Sequence, residues 1–133
     1  MDKENRHITL AYFEQRSTVD YIGAVQGIPV CFDAKECAAD TFPLANIHAH
    51  QMSFMKEFEQ QKGIAFLLLF FRSRDEIYYL PYRDAEHFWN RAEEGGRKSF
   101  TYEEIDRTYR VSGTTGLPVH FLEQIQKDLL ERD

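Results

Sequence analysis

The chain has 133 residues, 43% of them apolar and 14% aromatic, which is enough for one well-formed core and too few for two ordinary domains, so one domain over residues 1–133 is expected. With 16 basic against 22 acidic residues the formal net charge is −6, which argues mildly against a protein that grips duplex DNA through its overall charge; such a grip needs Lys and Arg gathered locally. The longest apolar run, Ile64–Phe71, is far shorter than the roughly 18 residues of a membrane span, and Met1-Asp2-Lys3-Glu4-Asn5-Arg6 lacks the apolar stretch of a secretory signal, so a cytoplasmic protein without membrane contact is expected.

Taken in chain order, residues 8–13 read as a first short strand, followed by the polar stretch Glu14-Gln15-Arg16-Ser17-Thr18. Residues 20–25 and 28–35 are two β-rich runs joined around Gln26-Gly27, the pattern of a hairpin. Residues 46–61 carry Ile47, Met52, Phe54, Met55 and Phe58 at helical spacing, with Gly63 as the stop. Ile64–Phe71 is almost continuously apolar, which predicts a central strand covered on both faces, and Ile77-Tyr78-Tyr79-Leu80 reads as its hairpin partner. Asp84 is positioned to cap a helix containing Ala85, Phe88, Trp89 and Ala92 that ends at Gly95-Gly96. Thr101 and Glu104 have capping-box spacing and start a short helix. A loop at residues 112–116 precedes a last amphipathic helix with Phe121, Leu122, Ile125, Leu129 and Leu130 as its apolar face. Strands and helices in this order predict a mixed α/β fold in which helices flank one sheet.

Within the hairpin, strand alternation puts Asp33 and Lys35 on one face and Phe32 and Ala34 on the other. Asp20 opens the first strand and Asp33 lies near the end of the second, so pairing brings two carboxylates within reach of one ion. Hydrolysis of a phosphodiester needs an activated water and neutralisation of charge at phosphorus, and a hard divalent cation held by carboxylates supplies both. The Ala34 carbonyl is a candidate third ligand. Lys35, about 7 Å along the strand from Asp33, is placed to orient the water or to meet the phosphate, and Gln51 to contribute a polar contact from the following helix. On spacing alone, the same residues also read as a solvated strand end with a surface ion pair.

The remaining polar residues carry weaker signals. His48 and His50, two apart, diverge on a helix and read as packing or solvent contacts, without a shared metal. Arg97 and Lys98 after Gly95-Gly96 fit either a phosphate grip or a solvated loop. Phe88, Trp89, Tyr78 and Tyr79 sit at spacings that serve a core or a dimer interface. Cys31 and Cys37 read as free thiols, since no Cys-x-x-Cys spacing is present.

Thr18-Val19-Asp20-Tyr21-Ile22-Gly23, Phe32-Asp33-Ala34-Lys35-Glu36, Phe42-Pro43-Leu44 with His48-Ala49-His50-Gln51, and Phe88-Trp89 with Gly96-Arg97-Lys98-Ser99 occur in the order seen in RecU-type Holliday junction resolvases. This family, also called penicillin-binding protein-related factor A, is one that the chain resembles from about residue 11 to residue 130. The resemblance implies a restriction-endonuclease-like fold, a homodimer, Mg²⁺ or Mn²⁺, and paired nicks in branched, four-way DNA. It makes Asp20 and Asp33 metal-binding carboxylates and Lys35 the catalytic lysine, favours a DNA role for Arg97 and Lys98, and adds Arg16 and Thr18 to the candidate DNA contacts. Asp33 stands where the family usually has glutamate and Val19 where it often has threonine, and the chain is expected to begin after the family's first helix with an abbreviated stalk. Two other readings stay open: a nuclease without junction preference, and a catalytically silent DNA-binding or regulatory relative.

Overall fold

The computed structural model describes residues 19–111 and 122–132. The strand expected at residues 8–13 and the loop at 112–116 lie outside them, as do Arg16, Thr18 and Phe121. The hairpin forms as expected, from β1 (Tyr21–Val25) and β2 (Ile28–Cys37). Gln26 (φ 52°) and Gly27 (φ 85°) both sit in the left-handed region that a two-residue hairpin turn demands, and glycine adopts it without a Cβ clash. That turn fixes the register, pairing Val25 with Ile28 and Tyr21 with Phe32.

β2 continues for five residues past the end of β1 because its other edge is paired, in parallel, with β4 (Ile64–Phe71) as far as Cys37 and Phe71. β4 pairs antiparallel with β5 (Glu76–Pro81), giving a mixed four-stranded sheet in the order β1-β2-β4-β5. Alternation along β4 divides two apolar clusters. Ala65, Leu67, Leu69 and Phe71 face Met52 and Met55 of α1 (Ala49–Gln60) and Ala85 and Phe88 of α2 (Tyr82–Glu93). Ile64, Phe66 and Leu68 face Ile125 of α3 (Leu122–Glu131). On this second face the rings of Tyr21, Phe32, Phe66, Tyr79 and Tyr109 stack across the whole sheet at centroid spacings of 5.0, 5.2, 4.0 and 5.3 Å. Tyr78, Tyr79 and Phe88 are thus core residues, as their spacing suggested. The sheet flanked by helices is the mixed α/β, restriction-endonuclease-like plan expected from the sequence. No helix among the described residues is long and apolar enough to cross a membrane.

Four details differ from the sequence expectation. First, a two-stranded ladder of β3 (Thr41–Pro43) and β6 (Ser99–Thr101) was not anticipated, because three residues are too few to show a period; it brings Phe42 onto Phe100 at 5.0 Å. Second, α1 ends with Lys62, not Gly63, in the left-handed region (φ 73°). The Gly63 N–H donates to the Phe58 carbonyl at 3.0 Å, and a Cβ on Gly63 would lie 2.6 Å from the Phe58 ring. Third, α2 begins at Tyr82 behind Pro81, which leaves Asp84 inside its first turn and not at its cap. The Thr101–Glu104 pair does start a turn, the 3₁₀ helix Tyr102–Glu104, with the Thr101 N–H donating to Glu104 at 2.9 Å.

Fourth, the buried face of α3 is different. Leu129 and Leu130 point to solvent, Leu130 being 83% exposed, while Asp128 is fully buried beside Ile125. Charge pairing makes that burial tolerable: Asp128 accepts hydrogen bonds from Tyr79 on β5, Arg83 on α2 and Arg132. Arg132 also bonds both carboxylate oxygens of Glu59 on α1, at 2.9 and 3.1 Å. Cys31 and Cys37 are free and buried, as expected, and burial pushes the Cys31 thiol well above its ordinary range.

Candidate active site

The hairpin register places Asp20 opposite Asp33, one step beyond the last pair of the ladder. Asp20 sits in a bend ahead of β1 and does not open the strand itself; Asp33 lies in the middle of β2 and not near its end. Both differences arise because β1 stops while β2 runs on against β4. The vacated edge of β2 is where the two residues interlock. The Asp20 N–H donates to Asp33 Oδ1 at 2.7 Å, and the Ala34 N–H donates to Asp20 Oδ2 at 3.2 Å. In an extended strand the carbonyl of a residue points to the same side as its N–H, so the Ala34 carbonyl faces this edge as well.

Asp33, 3% exposed, belongs to the α1 face of the sheet together with Lys35, as alternation predicted. Lys35 Nζ lies 2.9 Å from Asp33 Oδ2 and donates to Gln51 Oε1 at 3.1 Å. Gln51, the third residue of α1 and 5% exposed, uses the same oxygen to accept the His48 N–H at 3.2 Å. One side-chain oxygen therefore ties the lysine to the start of the helix, a connection the sequence suggested only as a polar contact across the site. The signal that would have found it is the offset of three between His48 and Gln51, the spacing of a capping box.

Asp20, Asp33, Lys35, Gln51 and Ala34 are thus brought together. Arg97 and Lys98 lie on the turn between α2 and β6, both exposed. The Lys98 carbonyl accepts the Leu44 N–H at 3.0 Å, and Arg97 adds to the positive field around Glu104. Among the described residues, no group of three or more His, Cys, Asp or Glu is arranged to hold a metal ion. Two carboxylates and a main-chain carbonyl are nevertheless hard oxygen donors. They match the sparse protein ligation of Mg²⁺, which keeps waters and substrate phosphate in its remaining positions.

Residues 1–127 match the family model of Recombination protein U, RecU. The chain belongs to the RecU family. It is 43% identical to the Holliday junction resolvase RecU of Staphylococcus carnosus (strain TM300) over 123 residues, which cover 91% of this chain and 59% of that protein. With the Holliday junction resolvase RecU of Staphylococcus aureus (strain JH9) the identity is 42% over 126 residues, 93% of this chain and 61% of that protein. The chain therefore spans about three-fifths of the length of these curated RecU relatives. Asp20, Asp33, Lys35 and Gln51 all lie within the segment matched by the RecU model.

Proposed function

We propose that this chain acts as a metal-dependent, structure-selective endodeoxyribonuclease that resolves four-way DNA junctions in recombination and repair. In this reading residues 1–133 form one nuclease domain that works as a homodimer in the cytoplasm. The observation that carries the reading is the interlocked Asp20, Asp33 and Lys35 on the open edge of β2, in a chain whose RecU relatives are named as junction resolvases.

Asp20, Asp33 and the Ala34 carbonyl would hold Mg²⁺ or Mn²⁺. When bound, such a cation supplies the positive charge that activates a water and neutralises a phosphate oxygen. The protein's own contribution is positional. Asp33 fixes Asp20 through its main-chain N–H and holds the Lys35 ammonium, which faces the scissile phosphate and stabilises charge as water attacks phosphorus. The P–O bond to the leaving oxygen breaks, and that oxygen takes up a proton. Gln51 keeps Lys35 in place. Arg97 and Lys98, with Arg16 and Thr18, would meet the DNA backbone away from the cut.

The test compares a labelled four-way junction with linear duplex of the same sequence, in Mg²⁺ and in Mn²⁺. Symmetric nicks in the junction support the reading. Equal cutting of both substrates points to a nuclease without junction preference, and no cutting of either to a catalytically silent relative.

A further inference from the structure

His48 and His50 are left over once the cutting centre is assembled. Both are exposed, so core packing does not explain them. Their rings lie nearly parallel, 10° apart, with centroids separated by 5.3 Å. Position is what distinguishes the pair. The His48 main-chain N–H and Lys35 Nζ donate to the same atom, Gln51 Oε1, at 3.2 and 3.1 Å, so the start of α1, which carries both histidines, lies beside the lysine of the cutting centre. Both side chains are exposed, and an imidazole N–H is a hydrogen-bond donor.

We propose that His48 and His50 bind the DNA strand through a backbone phosphate next to the one that Lys35 faces, as hydrogen-bond donors. The proposal rests on the nuclease reading above and deepens it.

The test uses the full chain and two double replacements, His48→Asn with His50→Asn, which keeps a donor at each position, and His48→Phe with His50→Phe, which keeps the rings and removes the donors. Binding of a labelled four-way junction is measured in EDTA, below the melting temperature of all three proteins, and cutting is then followed in Mn²⁺. The Asn pair is expected to bind within about twofold of wild type and the Phe pair about tenfold more weakly, the scale of losing two hydrogen bonds. Raised KM with kcat retained in the Phe pair completes the expected pattern. Unchanged binding by the Phe pair overturns the proposal. So does loss in the Asn pair: with the Phe pair intact it indicates base stacking on the rings, and with both pairs weakened it indicates a structural role for the imidazoles. A wild-type chain that binds junction DNA but never cuts it defeats the nuclease reading and leaves the binding comparison to judge this one; a wild type that does not bind defeats both.

Discussion

Asp33 accepts the Asp20 N–H on one oxygen and holds Lys35 with the other, so its replacement disturbs two neighbours at once. Asp20→Asn, Asp33→Asn and Lys35→Ala should each lower single-turnover nicking by more than about a hundredfold, the scale seen when a charge-stabilising group is removed. Circular dichroism should show an unchanged fold in all three; near wild-type rates in any one of them would remove that residue from the mechanism. Gln51→Ala should act differently, because Gln51 touches Lys35 and the helix start. Expected are a kcat about tenfold lower, KM little changed, and a loss of about 1 kcal/mol of stability from the missing cap, read by urea denaturation. The facing of Asp20 and Asp33 was legible in the sequence, because a two-residue Gln26-Gly27 turn fixes the register and alternation assigns Lys35 to the face of Asp33. Of Gln51 only the polar contact across the site was read; its tie to the helix start was signalled by nothing more than the offset of three from His48.

The elements are locked together by charge pairs as well as by the two apolar clusters. Asp128 joins α3 to β5 and α2, so Asp128→Ala should cost about 3 kcal/mol or more, since Arg83 and Arg132 lose a buried counter-charge. Denaturant unfolding measures it, and a cost below about 1 kcal/mol would mean that α3 is held by its other contacts, Ile125 in the apolar cluster and Arg132 on Glu59 among them. The apolar pattern suggested that Leu129 and Leu130 faced the core, whereas the buried face of the helix carries an aspartate bonded to Tyr79 on β5 and Arg83 on α2. No local period encodes such a partnership. A second tie, Arg91 with Glu104, gives a pH dependence. The Arg91 guanidinium, with help from the Thr101 N–H, holds the Glu104 carboxyl down to about 2 from its ordinary 4.5. A depressed folded-state pKa contributes stability that is fully present above about pH 4.5 and is lost as the pH falls toward 2. Glu104→Gln should therefore be less stable than wild type at pH 6, with the difference shrinking through that window; a constant difference down to pH 2 would contradict the assignment. The order of the longer helices and strands was read correctly from periodicity; the misplaced boundaries are helix starts, α1 beginning at Ala49 after the separate turn Leu44–Asn46 and α2 beginning at Tyr82 behind Pro81.

For the molecule as a whole, the net charge of −6 and the proposed pairing of two copies set the expectations. A homodimer would present two cutting centres to two symmetry-related strands, so sedimentation should give a mass near twice 15.7 kDa, and the two nicks in one junction should appear in pairs. Family membership was legible because the ordered motifs extend over most of the chain, whereas the local distribution of basic side chains depends on folding and cannot be read from the acidic total. The central claim is that Asp20, Asp33 and Lys35 form a junction-cutting centre. Its most direct measurement is cleavage of a labelled four-way junction by the wild-type chain and by Asp33→Asn in Mn²⁺, beside a linear duplex. The account predicts symmetric nicks by wild type alone, with linear duplex cut at least about tenfold more slowly, a modest margin for structure-selective binding. Equal cutting by wild type and Asp33→Asn, or none by either, would contradict it.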